Sequence, residues 1–126
     1  MKRAVAVLVL LAACGGDATG PTPGTLQVKL TLPATNLDSA MVLMVGAPAA
    51  ITSAVAGPGL RLFAPPLGQT TKLVLVGPLT NGTVILTLGV PDVGQVSEYT
   101  AVIQQVAQPN YQLRTSLAGY SLSITR

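Results

Sequence analysis

The sequence predicts an all-β protein, an antiparallel β-sandwich of about eight strands that follows a cleaved signal helix and a flexible linker. Three observations predict it. Apolar and polar residues alternate at a period of two, as in Leu26-Gln27-Val28-Lys29-Leu30-Thr31-Leu32, and that spacing sends successive side chains to opposite faces of a strand. Nearly every gap between such runs holds a breaker: Gly57-Pro58-Gly59, Pro65-Pro66, Gly77-Pro78, Asn81-Gly82 or Pro109-Asn110. No stretch of about twelve residues carries a helical stripe with caps. Ala40 to Ala50 comes nearest, and Gly46 and Pro48 cut it short.

The chain opens with Met1-Lys2-Arg3 and an uninterrupted apolar run from Ala4 to Ala13. A helix crossing a bilayer needs about 20 apolar residues, so this run is too short to be a permanent span and has the proportions of a secretory signal. It ends at Leu11-Ala12-Ala13-Cys14, and Cys14 is the one cysteine of the chain. The segment resembles the signal of bacterial lipoproteins, whose lipobox places leucine, two small residues and then cysteine at the cleavage point. The resemblance implies cleavage between Ala13 and Cys14, a diacylglyceryl group on the Cys14 thiol and an acylated new amino terminus. Small side chains at Ala12 and Ala13 suit a protease cleft, and a thiolate is the nucleophile that thioether formation needs. The alternative is an ordinary signal peptide cut elsewhere, with Cys14 incidental. Gly15 follows the cysteine where an aspartate would favour inner-membrane retention in these lipoproteins. The resemblance therefore implies a membrane-anchored envelope protein, in the outer membrane, facing the periplasm or the cell surface.

Residues 1–13 are thus expected to be a signal peptide, 14–24 a lipid anchor and linker, and 25–126 the sandwich. Gly15 to Gly24 contains no large apolar residue, and its Gly and Pro content predicts a mobile spacer. Fully extended, that linker reaches roughly 30 Å. Strands are then expected at Leu26 to Leu32, Ala40 to Val45, Ile51 to Val55, Leu60 to Phe63, Lys72 to Val76, Thr83 to Leu88, Tyr99 to Val106 and Tyr120 to Thr125. Ala40 to Val45 and Lys72 to Val76 are apolar at nearly every position, which places them mid-sheet or under a covering loop. Asn81-Gly82 is a strong local hairpin signal, so Lys72 to Val76 and Thr83 to Leu88 are expected to be antiparallel neighbours. The order of an alternating first strand, an apolar second one, Gly82-Thr83-Val84-Ile85-Leu86-Thr87-Leu88 and then a strand from Tyr99 resembles cohesin-type sandwiches. Immunoglobulin-like sandwiches fit nearly as well. The cohesin-type resemblance implies a noncatalytic module in cell-envelope assemblies and carries over no binding residue.

Composition narrows the chemistry. The chain has 126 residues, no histidine and no tryptophan, which removes the usual general base and imidazole metal ligand. One cysteine removes internal disulfides and thiolate zinc clusters. The net charge of +3 includes Lys2 and Arg3 of the signal segment. What remains, Lys29, Arg61, Lys72, Arg114 and Arg126 against Asp17, Asp38, Asp92 and Glu98, is nearly balanced and scattered. Nucleic-acid binding needs a focused basic footprint and is not expected.

Asp92 and Glu98 could be drawn as a glycosidase-like pair, but no base, oxyanion motif or nucleophile elbow accompanies them, and Asp92 is expected to form a turn. No catalytic residue and no cofactor is expected. Asn36-Leu37-Asp38-Ser39 offers hard oxygens at spacing two, a fragment of a calcium loop that is equally an Asx-type turn. No metal is expected there. Asn81-Gly82-Thr83 matches a glycosylation pattern that the turn already explains. Tyr99 and Tyr120 are expected in the core, Tyr120 with its hydroxyl at the rim. Tyr111 is the ring expected to be exposed, and with Arg114 it is the candidate ligand contact, the feature that keeps glycan binding open. Wet faces rich in Thr, Ser and Gln favour an interaction or structural module with an envelope protein partner, through an exposed strand edge.

Overall fold

A computed structural model describes residues 20–33 and 35–126. The signal segment, the Ala13–Cys14 junction and most of the linker lie outside them. Each of the eight expected strand segments forms a strand: β1 (Gly24–Thr31), β2 (Asp38–Gly46), β3 (Ser53–Ala56), β4 (Arg61–Phe63), β5 (Thr70–Leu79), β6 (Val84–Val90), β7 (Thr100–Ala107) and β8 (Ser121–Thr125). They make two four-stranded antiparallel sheets, ordered β3-β6-β1-β8 (sheet I) and β4-β5-β2-β7 (sheet II).

The two-residue period sets the packing. Leu26, Val28 and Leu30 of β1 are buried while Gln27, Lys29 and Thr31 face solvent. Facing them, Met41, Leu43 and Val45 of β2 and Leu73, Leu75 and Leu79 of β5 close the core from sheet II. Burying one such leucine is worth about 2 kcal/mol. β2 and β5 are the two inner strands of sheet II, as their apolar runs predict. Among the described residues every buried hydrophobic one lies between Leu26 and Val106, and all eight described strands fall within 24–125, so residues 20–126 carry a core of their own.

One expected pairing is corrected. Lys72 to Val76 and Thr83 to Leu88 are not neighbours, because β5 belongs to sheet II and β6 to sheet I. The Asn81-Gly82 turn arches between the sheets. A type I′ hairpin needs positive φ at both central residues, and here Gly82 has φ 79° while Asn81 is not in that region. The turn is fastened across to the end of β1: the Leu32 N–H donates to Asn81 Oδ1 at 3.0 Å and the Gly82 N–H to the Leu30 carbonyl at 2.8 Å.

The segment after β6 is more ordered than a plain turn. Val93–Glu98 forms a 3₁₀ helix capped by Asp92, whose Oδ1 accepts from Gly94 N at 2.9 Å and from Thr22 N at 3.2 Å. The Val93 N–H also donates to the Thr22 carbonyl at 2.9 Å. The sandwich therefore takes hold of the chain at Thr22, and Gly24 is already paired with Val90.

These pairings define two poles. Gly24, Val90, Gly46, Thr70 and Thr100 share the pole where the chain enters. The end of β1 and the starts of β2 and β8 share the other, about 25 Å away along β1.

Candidate ligand groove and the aliphatic face beside it

At the far pole Asp38 opens β2 as one of the two buried polar residues of the described chain. Its carboxylate accepts from Arg114 Nε at Oδ1 and from the Tyr120 hydroxyl at Oδ2, both at 2.6 Å. Asn36 Nδ2 donates to the same Tyr120 oxygen at 2.9 Å, and Arg114 also reaches the Leu37 carbonyl at 3.3 Å. The Arg114 guanidinium lies 6.0 Å from the centre of the Tyr120 ring. Two charges are thus paired and hydrogen-bonded where water is scarce, the condition under which a buried ion pair is tolerated. Burial pushes the Tyr120 hydroxyl pKa above its usual 10.0, and the hydrogen bond it donates to Asp38 pushes the same way, against Asn36 and Arg114. The cluster latches sheet II, through Asp38, to the entry of β8 in sheet I.

That latch fixes the hairpin beyond β7. Leu113 bridges to Ala107, Arg114 N–H donates to the Val106 carbonyl at 2.8 Å, and Ser39 Oγ donates to the Gln108 carbonyl at 3.0 Å. At the tip Tyr111 is held at φ 68°, with its N–H on the Gln108 carbonyl at 2.9 Å. A non-glycine residue in the left-handed region stores about 1 kcal/mol or more of strain. Its ring is 90% exposed.

Between this hairpin and the end of β5 lies a groove of about 600 Å³, lined by Leu37, Asp38, Ser39, Ala40, Val76, Gly77, Pro78, Leu79, Thr80, Ala107, Pro109 and Tyr111. Gly77, at φ 139°, is needed at its edge: a Cβ there would sit 2.7 Å from the Gly59 carbonyl oxygen and 2.9 Å from Leu60 Cδ2. The groove is a continuation of the outer face of sheet II. Register aligns three rungs on that face: Arg61, Val76, Ala40 and Ala107; Phe63, Val74, Val42 and Gln105; and Lys72, Met44 and Val102. Phe63, Val76 and Val102 are 55%, 38% and 58% exposed. No described element covers this face.

The sites read from sequence fall in different places. Tyr111 lines the groove, and Arg114 is withdrawn from it onto Asp38. The oxygens of Asp38 and Ser39 are engaged by protein partners. Asp92 caps the 3₁₀ helix, Glu98 is exposed, and Tyr99 is buried with a hydroxyl that has no hydrogen-bond partner. Burial raises the Tyr99 pKa, and the negative charges of Asp92 and Glu98 add to the shift. Three of the strand edges are short; β7 is the longest, and its ladder to β2 is broken by an irregularity at Val42/Leu43 while its end is taken by Leu113 and Arg114. A bulge of this kind blunts an edge against pairing. The open surface is a face, which sequence inspection missed because it requires knowing what lies over β2 and β5.

No family model, curated protein or solved structure matches the chain.

Proposed function

We propose that this chain is a noncatalytic lipoprotein of the cell envelope, held in a membrane through lipid on Cys14, whose sandwich is an interaction module for an envelope protein partner. The observation that carries the docking part is the uncovered aliphatic face of sheet II, continuous with the groove at the pole opposite chain entry. A contiguous exposed apolar surface of this kind marks interaction sites in soluble domains. The placement suits an anchored module. From Cys14 to Thr22, where the sandwich takes hold, the chain reaches at most about 30 Å, and it joins the sandwich at the pole opposite the groove, which leaves the groove free of the attachment point. The anchor reading rests on Leu11-Ala12-Ala13-Cys14, and an outer-membrane location follows from Gly15 at the next position. The module needs no cofactor or metal, and its scattered cations give nucleic acid no footprint.

Glycan binding is the second reading, favoured by the fully presented Tyr111 ring at the groove. One experiment separates the two. Residues 20–126 are used to capture partners from solubilised envelopes and, in parallel, on a glycan array, beside Val102→Asp and a control substitution on sheet I, Gln27→Asp. The expected result is a protein retained by the parent and by Gln27→Asp, and lost with Val102→Asp. Array signal that disappears in Tyr111→Ala, with no face-dependent protein, would replace the interaction reading with the glycan one. Secretion of Cys14→Ala as a processed, unlabelled protein would sink the anchor.

A further inference from the structure

We propose that the groove takes the alkyl tail of an anionic single-chain amphiphile, with its carboxylate or phosphate head at Arg61. The inference goes beyond the interaction-module reading: it takes the same groove and assigns it a ligand that is not a protein.

The walls decide the tail. The groove is largely apolar, and the polar groups deepest in it are already used: the Asp38 carboxylate holds Arg114 and Tyr120, the Ser39 hydroxyl donates to Gln108, and the Thr80 carbonyl accepts from Thr83 Oγ at 2.8 Å, which leaves the hydroxyls of Thr80 and the exposed Tyr111. Pro78 and Pro109 have no N–H to offer. An extended peptide brings a donor and an acceptor at every residue, and burying them unpaired is costly. An alkyl chain brings neither, and each methylene it buries gains about 0.8 kcal/mol in general transfer terms.

Charge decides the head. The rung that floors the groove, Ala107, Ala40 and Val76, ends on Arg61 one strand further out. Across those four strands the span is about 14 Å, a distance that a tail in the groove and a head at the rim bridge together. Arg61 is exposed and has no ion-pair partner among the described residues. Asp38, the carboxylate in the groove lining, is neutralised by Arg114. The rim is therefore net positive over an apolar floor. A second copy of this chain would bring its own Arg61 and Lys72 against the same cations, which disfavours self-docking.

Laurate is titrated into residues 20–126 by calorimetry, beside dodecyl phosphate and dodecyltrimethylammonium, which share its tail. One saturable site is expected, with at least one anionic head binding roughly tenfold more tightly than the cationic one. The tighter of the two anions identifies the head. Arg61→Gln should erase the preference, Lys29→Gln on sheet I should keep it, and Val76→Asp should abolish binding while the protein still melts cooperatively. Absence of a saturable site, equal affinity for all three heads, or binding that survives Val76→Asp would overturn the inference. Face-dependent capture of a protein by a chain that ignores laurate overturns this inference alone. Laurate binding without any captured protein supports it and removes the protein-partner reading instead.

Discussion

On the outside of sheet I, solvent meets Gln27 between Thr87 and Thr125, Lys29 between Val84 and Ser123, and Thr31 beside Ser121, with Val55 at the β3 edge as the large apolar side chain that is strongly exposed there. On the outside of sheet II it meets Val74 between Phe63 and Val42, and Met44 between Lys72 and Val102. The two sheets share one core and have four strands each, so folding alone does not account for the difference. A hydroxyl-rich face satisfies a sheet whose other side is dry, and sheet I has that form. Sheet II is apolar inside and largely apolar outside, where Arg61, Lys72 and Gln105 border the apolar side chains and no described element lies over them. Nothing in the shared core requires Val42, Met44 and Val74 to be aliphatic on that side, and the proposed docking surface would account for them.

The largest expected effect comes from the latch that holds the two sheets together at the groove. Asp38→Ala leaves Arg114 without its carboxylate and the Tyr120 hydroxyl without its acceptor. Removing one member of a buried pair costs about 3 kcal/mol, here tempered because the Arg114 side chain is 20% exposed. Denaturant unfolding measures it. A loss well under about 1 kcal/mol would mean that the sheets do not depend on this cluster and that the hairpin bearing Tyr111 is positioned otherwise.

The buried Tyr99 and the half-buried Tyr120 sharpen the comparison at the next scale, one at each pole. Tyr120→Phe removes a hydroxyl that donates to a carboxylate and accepts from Asn36, and should cost about 1.5 kcal/mol. Tyr99→Phe removes a buried hydroxyl with no partner, and should stabilise by up to about 1 kcal/mol. Both hydroxyls have pKa values raised above 10.0 in the folded protein. The fold therefore favours their neutral forms. That contribution is complete below pH 10 and is lost as pH rises through the raised values. Unfolding free energy should fall above pH 10 in the parent, and less steeply in the double Phe variant. An identical decline in both would assign the alkaline limb to other groups.

How far the sequence carries is itself different for the two sheets. In β1 and β8 the alternation of Leu26 to Leu32 and of Tyr120 to Thr125 announces both strands and which face is wet, because one-sided burial writes itself as a period of two. In β2 and β5 the runs Ala40 to Val45 and Lys72 to Val76 announce inner strands, which they are. They do not say whether the second apolar side is covered, since a covered and an open aliphatic face have the same sequence. The Asn81-Gly82 turn misled for a related reason. Turn chemistry is local, whereas here the turn is bound by Leu30 of β1 and by Leu32 just beyond it, about 50 residues away. Tyr111 could be picked out because the Pro109-Asn110 breaker signals an exposed tip. The Asp38 pairing with Arg114 could not, because 76 residues separate them and no period connects them.

The smallest effect on stability is expected from exchanging the faces, and it tests the comparison most directly. Phe63→Thr, Val76→Thr and Val102→Thr together would give sheet II the kind of surface that sheet I has. Each side chain is at least 38% exposed, and threonine suits a strand as well as valine does, so each substitution should change stability by no more than about 0.5 kcal/mol. Capture of the partner and of laurate should both disappear. Ser121→Val, Ser123→Val and Thr125→Val on sheet I make the reverse exchange, on an edge strand of only five residues. They should leave capture intact and instead promote self-association, seen by light scattering, because an unblunted apolar edge invites pairing. A loss above about 2 kcal/mol from the sheet II triple variant would mean that its outer side chains pack as part of the fold.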